Sequence, residues 1–488
     1  MPSWVEKYKK KGVEIKRIKQ QYYAYSRHSV WDSVRKKPKT ITDKYLGKVT
    51  PEGIILPKHE KVMSGLSKAS VKEFGATHLI SFLAKDFLEE LKKCYPDDWQ
   101  TIFAMAVLRF FHTSPLKNMS VYFSSSVLSD EYPAVDLTPK HASDFLQALG
   151  ADRQRAVDFL KRLIVESEHL IIDVTAIYSQ ASTATYPALG HNSDHSYLPQ
   201  INMLLLFSKE KNKPVFFRLL PGSITDVSSI KLTIEESGLH DVIFVGDKGF
   251  YSATNTVALK KSLIKYILPL RRNLSFLDYT STQSTSKKQF DGYFFFEKRP
   301  IWFKKNRHED DSVILFLDES LKLDEQQGFL QRVSKKNSTL TINDYHEYEH
   351  TFGTIAVITN QEATPEDIYS CLKSRLHIEQ AFDTFKNTLE ADRTYMRTDH
   401  HLQGWLFINF ISLYFYYCLY GILLSNKLLN KFSPKDIILH FSKVHKITLQ
   451  EKEIITELPK TVRILLEKMK LNEDTLSQNT IPTTKPMP

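Results

Sequence analysis

The chain has 488 residues, 42% of them hydrophobic and 25% charged; it is too long for one ordinary core and too apolar for a disordered chain, so about two to four domains are expected. Its three cysteines, Cys94, Cys371 and Cys418, show no paired spacing, which excludes a zinc knuckle or a disulfide framework and suits a reducing compartment. The formal net charge is +10, and residues 1 to 50 alone hold 14 Lys and Arg against 4 Asp and Glu, so the basic excess is one local patch.

That patch comes first in the chain. It interleaves cations with aromatics, as in Tyr22-Tyr23-Ala24-Tyr25-Ser26-Arg27 and in Trp31 followed by Arg35-Lys36-Lys37-Pro38-Lys39. The mixture suits phosphate contact with stacking, although a solvated charged face has the same composition. Gly47 and Pro51-Glu52-Gly53 mark turns between short strands up to residue 60, and helical patterns run from 67 to 165. Strand signals then begin at His169-Leu170-Ile171-Ile172-Asp173-Val174-Thr175 and recur at 201–207, 215–220, 242–245 and 264–268. Helical stretches start near Thr225-Asp226 and run from Ser252 to Lys261. Three strands, a helix, a strand, a helix and a strand match a ribonuclease H-like α/β core, in which an antiparallel meander joins parallel strands.

Residues 274–353 carry strand-like runs such as 292–296 and 312–317 and read as a β-rich insertion domain. The core resumes over 354–445. There, Gly404 to Ser425 has no charge and is long enough to span a bilayer; Asn409, several tyrosines and the lack of a second span mark it instead as a buried core helix. Residues 446–488 read as a C-terminal helix followed by a polar tail, disordered from Asn472 onward.

Two carboxylates stand on the apolar strand runs. Asp173 lies inside the first and Asp247 ends the fourth, in Val245-Gly246-Asp247-Lys248-Gly249-Phe250. Either alone reads as an ordinary strand residue. Together they carry more weight, because the first and fourth strands of such a core are neighbours, and Gly246 and Gly249 permit a sharp exit and close approach of a ligand. A third carboxylate comes from the helical run Leu372 to Lys386. At about 100° per residue, Glu379 lies roughly 40° and Lys386 roughly 20° from Arg375 around the helix. These charges form a stripe beside an apolar one of Ile378, Phe382, Phe385 and Leu389. An exposed helix with ordinary charge pairs has the same pattern, but a carboxylate between two cations also suits a site for metal ions and phosphates.

These residues resemble the DDE transposases of bacterial insertion sequences, in the insertion-sequence-four superfamily. Four blocks over residues 170 to 400 carry the likeness. The first is Ile172-Asp173-Val174-Thr175 with Gly190-His191-Asn192-Ser193-Asp194-His195 and Pro199-Gln200. The second is Arg218-Leu219-Leu220-Pro221-Gly222-Ser223 leading to Asp226, and the third is Gly246-Asp247-Lys248-Gly249-Phe250-Tyr251. The fourth is similar to the family's tyrosine-arginine-glutamate-lysine signature: Arg375, Glu379 and Lys386 keep its spacing, while Leu372 stands where the tyrosine is expected and Tyr369 lies one turn earlier. Tyr25-Ser26-Arg27 through Trp31-Asp32, with Lys44-Tyr45-Leu46-Gly47, also looks like the start of one branch of these proteins.

The resemblance implies a DNA-binding region over 1–165, basic and β-rich to residue 60 and helical over 67–165, and a catalytic domain of 166–273 and 354–445. The separation of 132 positions from Asp247 to Glu379, against 74 from Asp173 to Asp247, leaves room for the insertion that the family carries before its glutamate. Within it, Arg299 to Lys305, with Trp302 and Lys304, would stack on an extruded base and hold its phosphate; Trp302 packed inside the insertion is the alternative. Asp173, Asp247 and Glu379 would hold two magnesium or manganese ions about 4 Å apart. Arg375, Lys386 and Lys248 would bind phosphates, and Asp194 and His195 either adjoin the cleft or cap their loop.

The expected activity is hydrolysis at the ends of a mobile element, followed by transfer of the 3′-hydroxyl ends to target DNA. Double-stranded DNA is the expected partner, with a homodimer on the DNA and no membrane. The N-terminus, Met1-Pro2-Ser3-Trp4-Val5-Glu6-Lys7, lacks an apolar signal region, which fits a cytoplasmic, nucleoid-associated protein. A nuclease of the same fold that cleaves without joining, and a non-catalytic DNA-binding protein derived from a transposase, are the alternatives.

Overall fold

Tyr22 and Ala24, two positions apart on one strand, face the same side of a sheet and meet Val49 and Val5 in a small core. The computed structural model describes residues 1–58, 60, 69–164, 170–179, 181, 183–188, 198–222, 227–238, 242–335, 339–449, 452–472 and 476. The chain divides into two compact units: Met1–Phe74 with Lys443–Pro459, and Gly75–Ser442 with Lys460–Pro488.

In the first unit, β1 (Val13–Ile18), β2 (Gln21–Asp32), β3 (Lys37–Val49) and β4 (Ile54–Ile55) form an antiparallel sheet in sequence order. Trp4, Tyr8, Val13, Ile15 and Leu46 pack around its core. The pairing of β2 with β3 is irregular between Ala24 and Arg27, and it then runs on regularly from Arg27↔Thr42 to Asp32↔Lys37. This outer stretch leaves the core behind. A separate three-stranded sheet of the same unit joins β5 (Ser70–Glu73) to β16 (His445–Leu449) and β17 (Lys452–Ile455).

The second unit holds a mixed sheet in the order β11-β12-β13-β14-β10-β9-β6-β7-β8. Its strands are β6 (Leu170–Ser179), β7 (Gln200–Ser208), β8 (Lys213–Pro221), β9 (Val242–Val245), β10 (Lys265–Pro269), β11 (Gly292–Phe296), β12 (Arg299–His308), β13 (Asp311–Asp318) and β14 (Thr354–Thr359). A short β15 (Arg393–Thr394) pairs with β6. β6, β7 and β8 make an antiparallel meander, while β6, β9 and β10 run parallel. This is consistent with the ribonuclease H-like core, and the apolar runs explain it: every residue of β7 and β9 is buried, as strands covered on both faces require.

The long helix Asp399–Ser425 fills the other side of this core. It is apolar on all faces, and 72% of its most apolar stretch is buried inside the protein, so it serves as a core helix. Its closest crossing is with helix Pro139–Ala151. A Cβ added to Gly404 would sit 2.1 Å from the Leu146 carbonyl oxygen, and one added to Gly150 would sit 1.8 Å from that of His400, so only glycines allow the two backbones to touch. Buried Arg109, on helix Trp99–His112, donates to Asn409 Oδ1 at 2.9 Å and to the carbonyls of Leu389 and Glu390, which ties that helix to helix Asp399–Ser425 and to the segment that follows Thr384–Thr388.

Several boundaries differ from those expected. The strands of 274–353 do not close a body of their own: β13 pairs with β14 over six positions, from Ser312↔Thr359 to Leu317↔Thr354, so β11, β12 and β13 widen the core sheet. Residues 313–317 of β13 are buried, and both edges of the strand are paired, with β12 on one side and β14 on the other, so its buried backbone groups find partners within the sheet. The helices over 75–162 belong with the second unit rather than with the basic N-terminal strands, because helices 99–112 and 139–151 pack on helix 399–425. Residues 446–488 are likewise split, β16 and β17 going to the first unit and helix Lys460–Lys468 to the second. Most of the tail beyond Asn472 lies outside the described residues, as do the expected helix start at Thr225-Asp226 and the whole of Gly190-His191-Asn192-Ser193-Asp194-His195.

Candidate active site

β6 is flanked by β7 and β9: Asp173 pairs with Leu205, and the preceding Ile172 with Phe244 of the parallel β9. Chain continuation past β9 therefore brings Asp247 to the same edge of the sheet as Asp173. Gly246 keeps this exit uncrowded: a Cβ there would come 2.7 Å from Leu268 Cδ2, which would have to shift. Asp247 Oδ1 accepts the Lys248 N–H at 2.7 Å, and its carbonyl accepts the Phe250 N–H at 2.9 Å, which holds the turn.

The third carboxylate rides on helix Pro365–Asp383. Thr364 caps the helix by accepting the Asp367 N–H, Pro365 opens it, and Glu366 and Asp367 place negative charge at its N-terminus. Its buried face includes Ile368, Tyr369, Cys371, Ile378 and Phe382. Tyr369 is wholly buried among Phe294, Phe296 and Phe316, with ring centroids 5.0–5.5 Å away. This anchor turns Arg375 and Glu379, one turn apart, toward the two aspartates.

Arg375 is the hub of the site. Its Nη1 donates to Asp247 Oδ1 at 3.1 Å, and its Nη2 lies 3.5 Å from Asp173 Oδ2 and 3.2 Å from Glu379 Oε1. The guanidinium is mostly buried, as is the Asp173 carboxylate, while those of Asp247 and Glu379 reach solvent. Burial pushes the Asp173 carboxyl up to about 6, the neighbouring Glu379 and Asp247 charges push the same way, and Arg375 opposes them.

Three carboxylates around one guanidinium leave a surplus of negative charge, and every donor is a hard oxygen. That chemistry fits divalent magnesium or manganese. Among the described residues no three acidic, imidazole or thiol groups are arranged as a ligand set; the carboxylates are spread around Arg375 instead.

Asp247, Arg375 and Glu379 open onto a cleft of about 700 Å³ whose walls carry Lys209, Lys248, Arg299 and Lys373. Lys209 Nζ donates to Ser370 Oγ at 3.1 Å, and Arg299 Nη1 to Asp318 Oδ2 at 3.0 Å. Lys373 sits over the Tyr369 ring at 5.1 Å, and burial lowers the pKa of its ammonium group.

The structure thus gathers Asp173, Asp247, Glu379, Arg375 and Lys248. Lys386 is half-buried and does not line the cleft. Residues Thr384–Thr388 form a π-turn, so the angle obtained from a uniform α-helix does not carry across it. Tyr369 stays in its aromatic cluster, and Leu372 lines the cleft. Trp302 is half-buried on β12, 5.0 Å from the Tyr293 ring and 6.1 Å from that of Phe290, and Lys304 pairs with Asp291 at 3.5 Å; neither lines the cleft. Arg35, Lys36 and Lys37 belong to the first unit. Sequence reasoning missed Lys209 and Lys373 as cleft residues, while Arg299, the first residue of the expected basic aromatic cluster, does line the cleft. Lys373 was findable, two positions from Arg375; Lys209, at the end of a buried strand, gives no signal of its own.

The family model described as the transposase DDE domain matches residues 165–415. No curated protein matches. Among solved structures, the chain is similar to the piggyBac transposase in a synaptic complex with hairpin DNA, at 10% identity and a TM-score of 0.38, covering 85% of this chain and 87% of that one. It is also similar to the Mos1 transposase in a paired-end complex with the left transposon end, at 10% identity and a TM-score of 0.14, covering 32% of this chain and 58% of that one.

Proposed function

The chain belongs to the transposase DDE-domain family, and we propose that it binds the ends of a bacterial insertion sequence, cleaves them and joins their 3′-hydroxyl ends to target DNA. The observation that carries the proposal is the convergence of Asp173, Asp247 and Glu379 on Arg375 at the mouth of a basic cleft.

In this reading Asp173, Asp247 and Glu379 hold two magnesium or manganese ions. When bound, such ions activate the attacking oxygen and neutralise charge on the leaving one. The rest of the work falls to side chains on the walls. Lys248, Lys209 and Lys373 bind phosphate oxygens along the cleft and keep the scissile phosphate against the carboxylates. Arg375, released from its carboxylates, becomes a planar fork for the same phosphate. One site serves both reactions, because each exchanges one phosphorus–oxygen bond for another. In cleavage, water attacks and a 3′-hydroxyl leaves; in joining, that hydroxyl attacks a target phosphate and a second 3′-hydroxyl leaves. Two ends must be held together, so the active form is a homodimer on double-stranded DNA. The insertion-sequence-four assignment rests on the four sequence blocks, and action on nucleoid DNA follows from it.

The test is a strand-transfer assay with precleaved ends and Mg²⁺. Joined product that disappears in Asp173→Asn supports the proposal. Cleavage without joining points to a nuclease instead, and end binding without either reaction points to a non-catalytic descendant.

A further inference from the structure

We propose that the outer half of the β2–β3 hairpin is a two-stranded ribbon that enters the major groove of duplex DNA. This rests on the reading of the chain as a DNA enzyme and adds the element that grips the duplex. Beyond the irregular pairing at Ala24–Arg27, five further pairs carry the ribbon from His28↔Ile41 to Asp32↔Lys37. At roughly 3.4 Å per residue the ribbon extends about 17 Å past Arg27. Nearly every residue from 27 to 41 is exposed, so the stretch holds no core together.

Its composition is not that of an idle edge. Trp31 is 64% exposed and Val34 90%, and Val30 and Ile41 are exposed as well. Around them stand Arg27, Arg35, Lys36, Lys37 and Lys39, with Asp32 as the sole acid between residues 27 and 41. That acid is occupied: Asp32 Oδ1 accepts the N–H groups of Val34 and Arg35 at 3.0 Å each and closes the turn. The register sorts the side chains into two faces, Trp31 with Pro38 and Ser29 with Thr40 on one, Val30 with Lys39 and His28 with Ile41 on the other. Charge complementarity selects the partner. A major groove admits a two-stranded ribbon, its walls are phosphate, and its floor offers both polar base edges and thymine methyls. Cations at the tip would meet the walls and the apolar residues the floor.

The experiment uses the full chain and a mixed-sequence duplex, with affinity followed between about 50 and 200 mM salt. Arg35→Gln, Lys36→Asn and Lys37→Gln are combined; Asn suits position 36, where φ is +51°. The expected result is weaker binding, with the salt slope reduced by about 2.7 for three lost phosphate contacts. A duplex whose cytosines carry glucosylated hydroxymethyl groups, which fill the major groove, should also bind the unaltered chain less tightly. Unchanged affinity and slope in the triple variant would overturn the proposal while leaving the proposed activity standing. Loss of self-association in place of DNA binding would overturn it too, making the ribbon a contact between copies. Failure of the unaltered chain to bind any duplex would remove the DNA reading itself. Far-UV circular dichroism and the melting temperature check folding, and a second variant, Lys39→Gln, should lower the slope by about 0.9 alone.

Discussion

Charge is concentrated in two regions of this chain, and they are built in opposite ways. In the candidate active site the charges are cross-paired, half-buried and anchored by apolar neighbours, with one guanidinium reaching three carboxylates. On the outer half of the β2–β3 hairpin the cations stand exposed on a ribbon whose one acid between residues 27 and 41, Asp32, is spent on its own turn. The first arrangement fixes geometry at the cost of desolvation. The second leaves affinity to long-range attraction that salt can screen. Substitutions should therefore separate the two cleanly: in the site they change rate and stability, and on the hairpin they change binding alone.

The largest effect is expected from Asp173→Asn. Cleavage should fall by at least about a thousand-fold, read on end-labelled duplex, because several kcal/mol of charge stabilisation depends on this ligand. Duplex affinity should stay within about two-fold. The same change should stabilise the metal-free protein. The Asp173 carboxyl titrates near 6 in the folded chain against an ordinary 3.8, so it binds its proton more tightly folded than unfolded. The stability it contributes is full below about pH 4 and is lost as pH rises through 6. The substituted amide carries no charge to lose, and at pH 8 the variant should gain about 3 kcal/mol in urea unfolding, a gain that vanishes toward pH 4. A variant no more stable at pH 8 would mean that Asp173 is better solvated than its surroundings indicate.

Next in size is Arg375→Ala. Removing the hub leaves three carboxylates facing one another, one of them buried, and should cost about 2–3 kcal/mol at pH 8 in the metal-free chain. Millimolar Mn²⁺ should raise the melting temperature of this variant more than that of the unaltered chain. An equal rise in both would show that the guanidinium and the ions do not compete for the carboxylates.

How much of this was legible in the sequence follows from which forces act locally. The core strands were readable because unbroken apolar runs such as 201–207 and 242–245 need cover on both faces, and β7 and β9 lie there. The neighbouring positions of Asp173 and Asp247 followed from topology alone. Periodicity identifies strands but not their partners, so it makes residues 274–353 look like a body of their own; the register of β13 on β14 shows that the sheet continues. Lys386 was placed by an ideal helical angle, and the π-turn at Thr384–Thr388 depends on packing that no local pattern announces. Arg375 was read as a phosphate clamp, whereas in the metal-free chain it first holds the carboxylates, a role set by tertiary distances.

Smaller effects sharpen the contrast between the two regions. Lys209→Ala and Lys373→Ala should each lower kcat/KM about ten-fold, the value of one charge-assisted hydrogen bond to phosphate, and should lower the salt slope of duplex binding by about 0.9, as one lost phosphate contact requires. A slope change with no loss of kcat/KM would place these lysines on the same binding track as the hairpin.

The smallest expected effect is that of Trp31→Ala. With 64% of its surface already exposed, the ring contributes little to folding, and urea unfolding should shift by no more than about 0.5 kcal/mol. On the duplex it would bury apolar surface against the groove floor, worth about 1 kcal/mol or about a five-fold change in affinity. Because tryptophan carries no charge, the salt slope should not move. That separates it from the neighbouring cations, which should lower the slope as they weaken binding. A Trp31→Ala chain that binds normally but melts earlier would mean that the ring is packed after all, and the apolar half of the groove contact would then fall to Val34.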